Sequence, residues 1–491
     1  MRRLATAPVF AERYRRTVCW WAGTRLLLLL WSLNAVPYFS RGSVLGDVVI
    51  YKGWGDTLTG GSFPSGDSQW QYPPGAALVM LLPKLIALIG IGYVNAFFFF
   101  ALAADAVVFR LLIGQAERIA AETGRPPHQT GLWAWVIGGI ALGPIVLMRY
   151  DVIVTAVAVA GMLAVVRANG RRSAERAERR TWELRGALLG LGAIVKVWPA
   201  VLLLGLPPKE RGRRALASAV LGAVAISGLL AAALPGAMSF LGHQGDRGIE
   251  VEAVLASPFM IASWFGLPVQ TVHQDGNFQL AGPGTGVVGA AAIFLTLVGF
   301  AAVLWWRVRR FDPERWTPAL MYDVGFTTLL IMVVTSRVLS PQYMVWLMGL
   351  AALCLAEGGP GRRATLMGLP ARLVMLCTLV SQIEFPLLFG QVMYHGFWGT
   401  ALVAARNMVL LAATLIALRR LWGATAAAPA AEPGPNAAAV PSETVPSEAA
   451  SSEAASSEAV PSGDVEGDAE KASVLARAGA AVPQSGSAQE A

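Results

Sequence analysis

The sequence predicts an all-α, multi-pass membrane protein, and three observations carry that expectation. Hydrophobic residues make up 55% of the chain and charged residues only 14%. The apolar residues gather into runs near 20 residues long, about what a helix needs to cross roughly 30 Å of hydrocarbon. Runs such as 286–306 and 397–418 show no two-residue alternation. They read as helices rather than barrel strands, because a segment in lipid must satisfy its own backbone groups.

The first span, near 17–37, follows Arg2, Arg3, Arg13, Arg15 and Arg16. It is too long for the apolar core of a signal peptide, and Asn34-Ala35-Val36-Pro37 makes a poor cleavage site, so the span is expected to be retained. Short loops rich in Lys and Arg stay in the cytoplasm. The N-terminus (1–16), 167–185, 207–214, 307–315, 362–363 and 419–420 all qualify. With the N-terminus inside, residues 38–74 fall outside. Parity keeps 75–90, with Pro83 and Lys84, in the outer interface as part of a large first external loop, 38–92. Spans at 93–113, 131–148 and 151–167 then leave Arg149-Tyr150-Asp151 at an external corner.

Basic loops flank 186–206 on both sides, although that segment is long enough for one crossing only. A hairpin of two short helices broken near Lys196-Val197-Trp198-Pro199 resolves the conflict, with Pro199 ending the first arm. Spans near 215–235, 286–306, 318–336, 342–357, 366–384 and 397–418 complete one membrane domain over 17–423. About 10–12 transmembrane helices result. The reading places the protein in the plasma membrane with both termini cytoplasmic.

Residues 424–491 carry ten acids against Lys471 and Arg477, leaving 37 bases and 21 acids on the rest of the chain. The Ala/Pro/Ser/Glu composition of this tail cannot bury enough surface to fold, so disorder is expected there. The basic excess elsewhere suits loops resting on anionic membrane lipids; no aromatic-interleaved basic patch points to nucleic acid. Cys19, Cys354 and Cys377 lie in apolar runs without metal-ligand spacing, so they read as structural thiols and no metal site is expected. Nucleotide-hydrolysis, HExxH and GxSxG motifs are absent from the sequence.

The outer loops collect Asp47, Tyr51, Asp56, Tyr72, Arg149, Asp151, Lys196, His243, Arg247, Glu250, Glu252, His273, Arg337, Gln342 and Tyr343 from four parts of the chain. Asp47 is either a cap or solvated carboxylate, or a general base at the lipid boundary, where partial burial would make it a better base. Asp56 reads as a local helix or turn residue. Tyr72-Pro73-Pro74 enforces an extended turn before a helix start. Arg149 and Asp151 either satisfy each other as an ion pair or belong to a site. A lysine inside an apolar run is costly unless snorkelling or paired, so Lys196 points to a phosphate partner. His243 and Arg247 could supply the positive side of an anion site, and Arg337 either anchors a span or meets ligand.

Taken together, Asp47 with Tyr51, Gly60 with Tyr72-Pro73-Pro74, Arg149-Tyr150-Asp151, Lys196-Val197-Trp198-Pro199, Asp246-Arg247-Gly248-Ile249-Glu250-Val251-Glu252 and Ser340-Pro341-Gln342-Tyr343-Met344-Val345-Trp346 resemble glycosyltransferase family 87 over about residues 15–420. The resemblance implies a GT-C fold and a transferase that takes a sugar, mannose foremost and arabinose as the alternative, from a polyprenyl-phosphate donor. The acceptor would be an envelope lipid or glycan, and neither metal nor cofactor is implied. It makes Asp47 the catalytic base and assigns Lys196, Arg149, Arg247 and His243 to the donor phosphate. Tyr51, Tyr72, Asp151, Glu252, Arg337, Gln342 and Tyr343 would then contact substrate. One departure stands out: the family pattern has Gln followed by Glu where this chain has Glu250 and Glu252, so Glu252 is the safer match. A phosphate leaving group needs positive charge and no general acid, so one carboxylate suffices for direct displacement with inversion. A transporter of lipid-linked sugars would share the spans and buried charges, but its halves commonly repeat in sequence pattern, and no such repeat is visible.

Overall fold

A computed structural model of the chain describes residues 7–37, 41–87, 89–168, 171–243, 247–274, 276–358 and 365–424. The proposed acidic tail and the basic pair at 362–363 lie outside the described residues, as does Asp246. Among the described residues the fold is helical, with one two-stranded sheet. Among the described residues six helices are long and apolar enough to cross a bilayer, fewer than the expected count and without the first helix, Ala7–Ser32, whose arginines lower its apolarity. Six suffice to make this a multi-pass membrane protein.

The chain opens with α1 (Ala7–Ser32) and an amphipathic helix α2 (Arg41–Thr59), which turns Val44, Val48, Tyr51 and Trp54 inward. Next, α3 (Ala76–Ala87) has 12 residues, about 18 Å of helix, too short to cross. Pro83 lies within it, and Lys84 ion-pairs with Asp56, tying α3 back to α2. Asp56 is thus a bridging surface carboxylate held below the usual carboxylate range, first by Lys84 and then by Lys52. Then come α4 (Tyr93–Thr123), α5 (Thr130–Leu142), α6 (Ile145–Met148) and α7 (Asp151–Leu163). α5 and α7 are shorter than the spans expected at 131–148 and 151–167, since Gly143 at φ 73° breaks the first and Ala164 leaves the helical region after the second.

The broken hairpin exists, with different arms. α8 runs from Arg171 to Val195, so most of the arginine-rich stretch at 167–185 is helix, not loop. Charged side chains on an exposed helix face are as well solvated as in a loop, so composition could not separate the two. The chain reverses at Lys196-Val197, and a 3-10 helix, Trp198–Gly205, returns along α8. Pro199 begins the second arm rather than ending the first, because its missing N–H costs nothing in a first turn.

α9 (Lys209–Ala233) packs against α8 at very close range: a Cβ on Gly186 or Gly190 would collide with the carbonyl oxygens of Ala215 and Ala219. This is small-residue packing at four-residue spacing, which lets membrane helices approach closely. Beyond it lie α10 (Phe240–His243), α11 (Ser257–Ser263), strands β1 (Gln270–Gln274) and β2 (Asn277–Ala281), and then α12 (Thr285–Trp305), α13 (Pro318–Thr335), α14 (Tyr343–Glu357), α15 (Gly368–Gln382), α16 (Phe389–Met393) and α17 (Phe397–Gly423). α9 and α12 present Leu221, Val224, Leu229, Val287, Phe294 and Leu297 outward, as helices facing hydrocarbon do.

Within the bundle, Arg25 of α1 lies 3.0 Å from Asp105 of α4, and both side chains are buried. Arg25 also donates to the Trp135 and Val136 carbonyls, and Trp21 donates to Asp105 at 2.6 Å. Every charge is thus met, the condition for tolerating ions away from water. The basic segments meet at one end of the helices: Arg211 pairs with Glu178, Lys209 with Glu314, and Arg307 donates to the Leu204 carbonyl. α8, about 37 Å long, runs from that end to Lys196, which lines a cavity at the other end.

Candidate active site

The cavity holds about 1080 Å³, its open mouth included. Asp47 reaches it from α2, one helical turn before Tyr51, so both side chains share a face. Asp47 remains one-third exposed, so it is partly buried. Its Oδ2 lies 2.7 Å from Arg149 Nε, while Arg149 Nη1 donates to the Met148 carbonyl at 2.9 Å and also to that of Val44. Arg149 therefore fixes the catalytic candidate to the chain on both sides of it.

Arg149 and Asp151 do not pair with each other. Arg149 has extended backbone (φ −135°, ψ 143°), whereas Asp151 opens α7, so their side chains diverge. Asp151 is buried and lies outside the cavity wall; it accepts from Lys196 Nζ at 2.7 Å and from Trp346 Nε1 at 2.5 Å. Lys196 also lies over the rings of Tyr150 at 4.7 Å, Trp346 at 4.9 Å, and Tyr72 and Tyr343 at 5.6 Å each. Its ammonium is thus held by a carboxylate and an aromatic cage. The expected partner was a phosphate; the protein itself already supplies one, Asp151.

The far wall is built by backbone pairing. Residues 249–251 join the hairpin through one antiparallel bridge, Glu250 opposite Gln279: Val251 N–H donates to the Phe278 carbonyl at 3.0 Å and Leu280 N–H to that of Ile249 at 2.9 Å. This aims Arg247, Glu250 and Glu252 into the cavity. Arg337 does not line it; its guanidinium donates to the Arg247 carbonyl at 2.7 Å, and its own carbonyl accepts from Glu250 N–H at 2.9 Å, so it braces the loop. Gln342 and Tyr343 do line the cavity, beside Ser340 and Pro341. For His243, only the backbone, at the end of α10, lies among the described residues. His273 is exposed and packs on Phe278 at 5.0 Å.

Two carboxylates in this wall are perturbed. Burial pushes Glu250 up to about 7, although Arg247, the Leu339 N–H and the Ser340 hydroxyl each pull it back. Glu252 is held well above the carboxylate range by burial and then by the neighbouring carboxyl of Glu384. Arg406 lies 2.5 Å from Glu384 and 3.7 Å from Glu252 and donates to the Glu252 carbonyl at 2.7 Å. Glu384 and Arg406 escaped the sequence reading, although ionisable residues within apolar runs are a legible signal. Glu250 was seen but not assigned, and Phe278, Phe385 and Phe389, which give the wall its apolar part, carry no signal that separates them from lipid-facing phenylalanines.

No curated protein and no solved structure matches this chain. The model of glycosyltransferase family 87 matches residues 70–336, more than half of the chain. That segment contains Tyr72, Arg149, Asp151, Lys196, Arg247, Glu250 and Glu252 and stops short of Asp47 on one side and Ser340 on the other. A cavity lined by a fixed carboxylate, the cations Arg149, Lys196 and Arg247, and aromatics packed edge to face suits the handling of a sugar. With this match over its central helices, the chain belongs to glycosyltransferase family 87, and its activity is glycosyl transfer.

Proposed function

We propose that the protein moves a hexose, mannose foremost, from a polyprenyl-phosphate sugar to an envelope lipid or glycan at the outer face of the plasma membrane, with inversion. The observation that carries this reading is Asp47: a partly exposed carboxylate, held by Arg149 at 2.7 Å, in one cavity with Lys196 and Arg247. The acceptor hydroxyl oxygen attacks the anomeric carbon while its proton passes to Asp47. The bond from that carbon to the phosphate oxygen breaks, and its electron pair leaves with the phosphate. Positive charge stabilises the departing anion, so no acid is required at the leaving group. Arg149 serves here by orienting the base, which leaves Arg247 as the leading phosphate contact and Lys196 as a nearby positive charge. The gathering of the basic segments at the end away from the cavity supports the outer face, since such segments stay in the cytoplasm.

Purified protein given radiolabelled polyprenyl-phosphomannose and a lipid acceptor tests the assignment. Asp47→Asn is expected to lower transfer by about 10²–10⁴-fold, the range for a lost general base, with donor binding retained. Transfer at the parent rate would remove Asp47 from that role.

A further inference from the structure

Among the cations of the cavity, Arg149 and Lys196 have short contacts to carboxylates, at 2.7 Å each. Arg247 is held more loosely. Its Nη2 donates to Asn277 at 3.1 Å, it stands 3.8 Å from Glu250 Oε1, and its buried Nε has no partner among the described residues. A buried guanidinium nitrogen without an acceptor is costly, and an arriving phosphate oxygen would satisfy it. Glu250 is the group that must yield. It is buried, it lines the same cavity, and its Oε2 already accepts from Leu339 N–H at 3.0 Å and faces the Ser340 hydroxyl at 3.4 Å.

We propose that Glu250 is the resting counter-ion of Arg247 and releases it to the anionic group of the donor, taking one proton from solvent onto its carboxylate as it does so. The inference rests on the phosphate-linked donor proposed above. The other titratable groups around Glu250 are Asp47 from α2, Glu252 on its own loop and Tyr343 from α14, and the cavity's remaining cations, Arg149 and Lys196, are engaged by Asp47 and Asp151. Arg337 meets the loop through the Arg247 carbonyl instead. Because Glu250 already sits at about 7, the swap falls within the neutral range. Below that pH the carboxyl is largely neutral and Arg247 is available; above it the carboxylate competes with the incoming anion.

The test is calorimetric titration of the full-length protein in phosphatidylcholine nanodiscs with a short-chain isoprenyl-phosphomannose. That probe is a phosphodiester, so its own charge stays constant over the range used. From pH 6 to pH 8 the native protein is expected to bind about tenfold more weakly, as linkage to one group near 7 requires. Titration at pH 8 in two buffers of different ionisation enthalpy should show uptake of close to one proton per donor bound. Glu250→Gln keeps an oxygen to accept from Leu339 and Ser340, and it should bind with no pH slope and no proton uptake. A flat native profile, or a slope that survives in Glu250→Gln, would overturn the inference while leaving the Asp47 transfer assay to judge the activity. Failure of the native protein to bind at any pH would overturn both this and the phosphate-linked donor. The proton count on the native protein decides the matter even if the variant does not fold.

Discussion

Asp151 shows what burial does to a charged residue once its partner is fixed. It meets Lys196 and Trp346 in a place with almost no water, so the pair cannot fall back on solvation when one member is lost. Asp151→Asn leaves an ammonium among aromatic rings, and a loss of about 3–5 kcal/mol is expected, the range for breaking a buried pair. The unfolding midpoint in detergent measures it; an unchanged midpoint would mean that the ring faces alone suffice. The charged residues themselves were legible, because Asp47, Lys196 and Arg149 stand out from apolar surroundings. Their pairing was not. Arg149 and Asp151 are two positions apart, yet a change from extended to helical backbone between them sends their side chains to different elements.

The positions of the long helices are the most legible level of this molecule. The runs at 318–336 and 366–384 differ from the observed helices, Pro318–Thr335 and Gly368–Gln382, by no more than two residues at either end. Continuous apolarity marks them with little competition from other signals. The hairpin of β1 and β2 went unseen although Asp275-Gly276, a favoured pair for two-residue turns, stands between its strands and Gly276 has φ 74°. Its strands are short and polar, which hides them within an external loop. The contact of α8 with α9 decides where Lys196 is delivered. Gly190→Val places branched carbon against the Ala219 carbonyl and is expected to push the helices apart, lowering transfer and the unfolding midpoint together. Gly190→Ala should give the same effects in smaller measure, and equal behaviour of Gly190→Val and the native protein in both assays would show that the interface relaxes freely.

Among the described residues the basic segments and the cavity lie at opposite ends of the helices, and this fixes an expectation about sidedness. In a background with Cys19 replaced, Ser68→Cys, on the exposed turn after α2, should react with an impermeant maleimide added to intact cells. Ala174→Cys, on the exposed start of α8, should react only after the membrane is opened. The reverse pattern would place the sugar-handling cavity on the cytoplasmic side. The ion pair between Arg25 and Asp105 acts at this scale too, though during synthesis. The partners are 80 residues apart, so the sequence expectation that α1 spans the membrane has it inserting before its counter-charge has been made. An arginine at the centre of a membrane helix adds roughly 2.5–3.5 kcal/mol to the cost of insertion, and less toward an end, where Arg25 stands in α1. On that expectation the first helix is a weak anchor until α4 emerges, and the order of translation becomes part of how this membrane domain is assembled.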